Sequence, residues 1–187
     1  MVSRGTLNRL DRYVNGGGVL VADHRCFVKT PDNLCYDRTL PGSLSDALGI
    51  SIPEYESIDE GVLYEVTGTG AFEGTFGAHQ YCDWITAVTA QPLALFADPV
   101  HVKGFPVLTR NRYGKGTAYY LGAPVKEDSF YDRLVLEVLC AAKIVPSVPP
   151  VGVEFSVRKG NGKTLLFIIN HTEVSRSVDV PSGKMEL

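Results

Sequence analysis

The segment from Phe105 to Gly122, FPVLTRNRYGKGTAYYLG, constrains the chain most. Val107, Thr109 and Asn111 alternate with Leu108, Arg110 and Arg112, the period-2 pattern of a half-buried strand. Gly114-Lys115-Gly116 supplies residues that tolerate positive φ, as a hairpin turn requires. Thr117 to Leu121 is rich in β-formers and almost free of charge, so it predicts an inner strand. Gly122 ends that strand, and a helical pattern soon follows. A hairpin that feeds an inner strand, and then a helix, predicts an α/β sheet with this unit at its centre.

The N-terminal residues extend the same prediction. Leu7, Leu10 and Val14 share one helical face, so Met1 to Asn15 reads as a helix. Ser3 or Thr6 can cap it, and Gly16-Gly17-Gly18 stops it. Val19 to Ala22 is a continuous apolar run, as in a parallel strand covered on both faces. Helix, glycine stop and buried strand form half of a βαβ crossover. The strand expected before the helix is not in the sequence, so the domain looks cut into. Asp23 to Gly42 is a polar loop of a length usually found at functional sites or interfaces. Ser43 to Gly49 predicts a short helix capped by Ser43 and stopped by Gly49. Pro53 to Thr67 and Ala71 to Ala90 alternate in the strand manner and read as antiparallel structure appended to the main sheet. Pro92 to Ala97 reads as another inner strand.

Asp128 to Lys143 carries the strongest helical stripe. Phe130, Leu134, Val138 and Ala141 are widened by Tyr131, Val135 and Leu139, with Asp128 or Ser129 as cap. Pro146 to Pro150 reads as a stiff linker. It separates an expected first domain, residues 1–146, from a second, residues 147–187. In the second, 153–158, 164–169 and 174–180 predict a three-stranded meander, too small to hold a core of its own.

Of the 187 residues, 44% are hydrophobic and 21% charged, the balance of a folded domain. The net charge of −3 argues against a nucleic-acid partner, which needs a basic face. No apolar run is long enough to span a bilayer, so no membrane partner is expected. The first residues lack an apolar signal core. Cys26, Cys35, Cys82 and Cys140 are scattered without a CxxC pair, which fits reduced thiols and a cytoplasmic location.

Four chemistries deserve weighing. Cys26 after a strand invites comparison with the elbow nucleophile of class I glutamine amidotransferases. An elbow needs small neighbours, but Arg25 and Phe27 flank Cys26 and no helix follows. His24, Cys26, Cys35, His79 and Cys82 are possible zinc ligands, but the close-spaced cysteine pairs of a structural site are missing. Glu54, Glu56, Asp59, Glu60 and Glu65 lie in alternating or turn sequence, where acids form a solvated face more often than a catalytic pair. Gly114-Lys115-Gly116 lacks the phosphate-loop frame and reads as a turn, and Gly16 to Gly18 follows a helix instead of preceding one. Asn170-His171-Thr172 matches a glycosylation sequon that has meaning only on a secretory route. Trp84 reads as packing in preference to a sugar platform.

Three stretches together resemble the C-terminal portion of family 42 glycoside hydrolases, the β-galactosidases. The first is Leu10 to Val21, LDRYVNGGGVLV, continued by Leu40-Pro41-Gly42, Leu48-Gly49-Ile50 and Glu54-Tyr55. The second, and most specific, runs from Gly104 to Gly122. The third comprises Pro150 to Glu154, Arg158 and Phe167 to Thr172. The resemblance implies an amidotransferase-like (flavodoxin-like) three-layer sandwich lacking the nucleophile, followed by the start of a small antiparallel β-domain. It implies self-association into a homotrimer, with catalysis by two glutamates of an upstream TIM barrel. It carries over no catalytic, cofactor-binding or metal residue to this chain, and no cofactor. A free-standing amidotransferase-like enzyme using Cys26, or a sugar-binding module, is the alternative. Under the resemblance the family pattern extends beyond both ends of this sequence.

Overall fold

The computed structural model describes residues 2–145 and 149–180. It divides into two units, Met1–Ile144 and Val145–Leu187. The first unit opens with α1 (Arg4–Asn15), where Ser3 Oγ accepts the Thr6 N–H at 3.1 Å. One of the two expected caps is therefore in place, satisfying an orphan donor of the first turn. Leu7 and Val14 are buried and Leu10 is half-buried, as the stripe requires. The Gly16 N–H closes the helix on Arg12, and Gly17 takes φ +116°. The Tyr13 ring lies where a Cβ of Gly18 would stand, so the chain can turn tightly into the next strand.

That strand is β1 (Val19–Asp23). The antiparallel ribbon strands β2 (Ile50–Ser57) and β5 (Tyr81–Ala87) form a two-stranded sheet of their own. Between them in sequence lie β3 (Tyr64–Gly68) and β4 (Gly74–Ala78), and after them β6 (Gln91–Phe96), β7 (Pro106–Tyr113) and β8 (Gly116–Leu121). The main sheet is mixed and six-stranded, in the order β1-β8-β7-β6-β3-β4, with β1 and β8 its parallel pair. The hairpin of β7 and β8 thus sits inside the sheet, as its sequence predicts. The expected appended β-structure splits. β3 and β4 belong to the main sheet, whereas β2 and β5 pair apart from it, because Ile50, Ile52 and Ile85 turn into a core on one side of it.

Alternate residues of β8 serve two cores. Ala118 and Tyr120 pack with Leu7 and Val14 of α1, and Tyr119 and Leu121 with Phe130 and Leu134 of α3 (Asp128–Ala141). This double burial corrects the half-buried reading of β7: Val107, Leu108, Thr109 and Asn111 are all buried. Asn111 survives there because its amide donates to the carbonyls of Asp46 and Ala47, both at 3.0 Å, and its Oδ1 accepts from Thr89 Oγ1 at 3.1 Å.

Two helix starts differ from expectation. Residues 42–48 form a 3₁₀ turn (Gly42–Leu44) and then α2 (Ser45–Leu48), so Ser43 lies inside the turn and does not cap. Gly49 does stop the helix, at φ +66°. In α3 the N-cap is Glu127, neither Asp128 nor Ser129, and it makes no side-chain cap. The Glu127 carboxylate instead accepts the Gly77 N–H of β4 at 3.0 Å. Val135 is 55% exposed and lies outside the buried stripe of α3. The helix ends at Ala141, short of Lys143, which takes φ +58° and turns the chain.

The second unit, considered alone, is the hairpin β9 (Val153–Gly160) and β10 (Lys163–Asn170). Asn161 at φ +48° and Gly162 at φ +72° make its turn. The expected third strand at 174–180 is absent. Asn170 gathers the chain into a tight turn instead, its Nδ2 donating to the Val174 carbonyl at 2.9 Å and its Oδ1 accepting from Thr172 N–H at 3.0 Å. Of the expected linker, residues 146–148 lie outside the described residues.

Candidate functional site

In open α/β sheets the carboxyl ends of parallel strands are where ligands and catalytic groups collect. Here that position is the end of β1, where the polar loop starts. Asp23 Oδ1 accepts from the His24 N–H and lies 2.7 Å from His24 Nδ1. Arg25 and Phe27 then adopt φ +59° and +65°. The left-handed region costs a bulky L-residue about 1–2 kcal/mol, so neighbouring contacts must hold this turn.

The holding group is Asp83 of β5, which is 1% exposed. Its Oδ2 accepts the Tyr120 hydroxyl at 2.7 Å and the Arg25 N–H at 3.2 Å. The Arg25 guanidinium stacks 3.5 Å above the Tyr55 ring, and the His24 ring stacks on Tyr81 with centroids 5.8 Å apart. Tyr55 faces Asp83 across the β2–β5 ribbon, so one face of that ribbon meets both His24 and Arg25. Among the described residues, Asp83 Oδ1 and Arg25 Nη1 are buried without a hydrogen-bond partner.

The electrostatics follow from burial. Desolvation pushes the Asp83 carboxyl above the usual range, against the Tyr120 hydrogen bond that lowers it. Burial pushes the Tyr120 hydroxyl up, and the negative Asp83 adds to it. The hydrogen bond to Asp23 raises His24. Burial raises the Cys26 thiol, the opposite of what an activated thiolate needs. Cys26 lies in the turn itself, half-buried, and beside a shallow cavity of about 370 Å³ lined by Val2, Arg25, Cys26, Phe27, Val28 and Lys29. His24 is engaged with Asp23, and the next helical turn after Cys26 starts only at Gly42. We therefore expect Cys26→Ser to change stability by less than about 1 kcal/mol, the usual scale for a mild substitution away from the deep core. A thermal melt checks this.

The other sequence candidates lie apart. Cys35 is exposed in the loop, Cys82 is buried on the opposite face of β5 from Asp83, and His79 follows β4. Among the described residues no three His, Cys, Asp or Glu side chains gather as a metal site. Glu54, Asp59, Glu60 and Glu65 are exposed, while Glu56 pairs with His101 at 2.9 Å. Trp84 packs on Phe105 with ring centroids 5.6 Å apart. Gly114 and Lys115 form the hairpin turn, and the Lys115 N–H donates to the Asn15 carbonyl. Asn170 of the sequon is occupied within its own turn.

Sequence reasoning missed the Asp83–Tyr120–Arg25 group. The available signal was an acid between Cys82 and Ile85 in a strand whose neighbours are apolar. The group makes a further prediction. Tyr120→Phe removes a buried hydrogen bond to a carboxylate and should cost about 1.5–3 kcal/mol in urea unfolding. The pH dependence has a definite sign. A carboxyl whose folded pKa exceeds its unfolded value binds its proton more tightly when folded. Its stabilising contribution is complete below the unfolded pKa and is lost as pH rises through the folded one. The stability of Asp83→Asn relative to the parent chain should therefore improve as pH rises from 4 towards neutrality.

Taken together, the chain has an α/β unit with a mixed sheet and a β-hairpin unit, and the turn at the end of β1 is held by Asp83. Among the described residues no helix is long and apolar enough to cross a membrane. The family model for the β-galactosidase trimerisation domain matches residues 1–145. The chain belongs to that family. It is 29% identical over 187 residues to β-galactosidase LacZ of Heyndrickxia coagulans, covering 100% of this chain and 27% of that protein. It is 31% identical over 168 residues to β-galactosidase BgaA of Clostridium cellulovorans, covering 88% of this chain and 25% of that protein. The crystal structure of the β-galactosidase from Bacillus circulans sp. alkalophilus superposes with a TM-score of 0.84 at 31% identity, over 91% of this chain and 26% of that one. The chain thus spans about a quarter of the length of the relatives it matches.

Proposed function

We propose that this chain is the subunit-assembly portion of a β-galactosidase and takes no direct part in catalysis. The observation that carries the reading is the match of the trimerisation-domain family to residues 1–145. The strand-end turn supports it, because Cys26 there has a raised thiol pKa and a histidine neighbour already bound to Asp23. In this reading residues 1–146 form an amidotransferase-like three-layer sandwich that brings subunits into a homotrimer. Residues 147–187 contribute to a small β-domain. Hydrolysis of terminal β-D-galactosides, with retention through two carboxylates, belongs to a barrel elsewhere in the same cytoplasmic polypeptide.

The test uses this chain and the polypeptide encoded by the reading frame that contains it. The full polypeptide should hydrolyse a nitrophenyl β-galactoside and have a trimer's mass by light scattering. The present chain should leave the same substrate intact. Hydrolysis by this chain alone, or an active full polypeptide that is monomeric, would overturn the reading.

A further inference from the structure

Charge is spread unevenly over the first unit. Between Arg38 and Lys103 the sequence has no lysine or arginine and nine acidic residues. The β2–β3 loop lies within this stretch. Asp59, Glu60 and Glu65 are exposed there, and between them Val62 is 44% and Leu63 48% exposed. An apolar pair flanked by charge has the anatomy of a contact surface, with a dry centre and a polar rim.

The register places this loop at one end of the main sheet. Asp23 of β1 is level with Leu121 of β8, and Leu121 with Leu108 of β7. The Glu65 carbonyl accepts from the N–H groups of Ala97 and Asp98, where β6 has ended and the chain turns back into β7 at that same end. Glu54, Glu56 and Asp98 stand there too, so the acids outnumber Lys103 and Lys126. The opposite end holds the β7–β8 turn, where Arg112 is level with Thr117 and Thr117 with Val19. The Lys115 N–H donates to the Asn15 carbonyl there, which brings in the last turn of α1 and Arg12. Arg12, Arg112 and Lys115 are all exposed, and none has an ion-pair partner among the described residues. The acids of this end, Asp11 and Asp46, act on Tyr113. The six residues of β8 hold the acidic and basic ends about 17 Å apart.

We propose that the β2–β3 loop of one copy of this chain docks on the basic end of the next, against Arg12, Arg112 and Lys115. The proposal rests on the assembly reading above and names the two faces that assembly uses. Opposite charges at opposite ends draw copies together head to tail, while like ends repel. A contact between two different faces is heterologous and can close a ring of three, which a two-fold contact cannot.

The test uses the full polypeptide and light scattering over a dilution series. Asp59→Lys, Glu60→Lys and Glu65→Lys in one chain should raise the concentration at which the trimer dissociates about tenfold or more, because like charges then face one another. Arg12→Glu, Arg112→Glu and Lys115→Glu in one chain should do the same. All six positions are exposed, so both variants should keep the circular dichroism spectrum of the parent. A chain carrying all six substitutions has opposite charges at every contact again and should return to a trimer. A trimer indifferent to both triple substitutions, or a six-fold variant that stays dissociated, overturns the proposal and leaves the assembly reading intact. A parent polypeptide that is monomeric overturns the assembly reading and this proposal with it.

Discussion

Phe130→Ala should lower the stability of the first unit by about 3–5 kcal/mol, the range for emptying a buried aromatic site. Phe130 is wholly buried at the start of α3. Its ring sits 5.2 Å from that of Phe72 and 5.0 Å from that of Phe76, the latter edge-on. Such pairs add about 0.5–1.5 kcal/mol each beyond the area they bury. The ring is also what fastens α3 to β4 and the turn before it, so little around the site can collapse into the void. Urea unfolding should show a lower midpoint with an unchanged slope, since the surface exposed on unfolding stays the same. Phe130→Leu should recover part of the loss. A cost under about 1 kcal/mol would mean that α3 is not docked on the sheet as described.

Gly116→Ala should be the other severe change, through crowding and not loss. A Cβ at Gly116 would collide with the carbonyl oxygens of Val14 and Gly18. Both obstacles are backbone, one in the last turn of α1 and one at the entrance to β1, so no flexible side chain can move aside. Overpacking typically costs about 1–3 kcal/mol. With two rigid carbonyls opposed, the upper end, about 3 kcal/mol, is expected. For a chain of this size that lowers the melting temperature by roughly 6–12 °C. Gly5→Ala is the control. Its Cβ meets only Ser3 Oγ, at 3.7 Å, and alanine favours a helix, so this variant should be about 0.5–1 kcal/mol more stable. Equal melting temperatures for Gly116→Ala and the parent chain would contradict the close approach of α1 to β8.

The hairpin at Pro106–Leu121 was legible because turn chemistry and alternation agree there. The burial of β7 was not, because alternation records one polar face, and Thr109 and Asn111 look polar in sequence. Their burial depends on partners far along the chain, such as the carbonyls of Asp46 and Ala47. The caps were half legible. Ser3 acts locally and was foreseen, whereas Glu127 serves β4 across the fold and was not. The third strand expected after Asn170 failed because a short side chain captured the backbone first.

The absence of small residues beside Cys26 already spoke against an elbow nucleophile, and the structure supplies the cause of the turn's shape. Asp83 lies 58 positions from Arg25 in sequence, yet its carboxylate fixes that residue in the left-handed region. Periodicity, glycine placement and motif order therefore determined the elements, the hairpin and the family likeness, because each is a property of neighbouring residues. The strand order, the two-sided burial of β7 and β8, and the buried Asp83–Tyr120 pair were decided only in the tertiary structure. Each depends on which distant donor meets which distant acceptor once water has been excluded, and no local pattern records that.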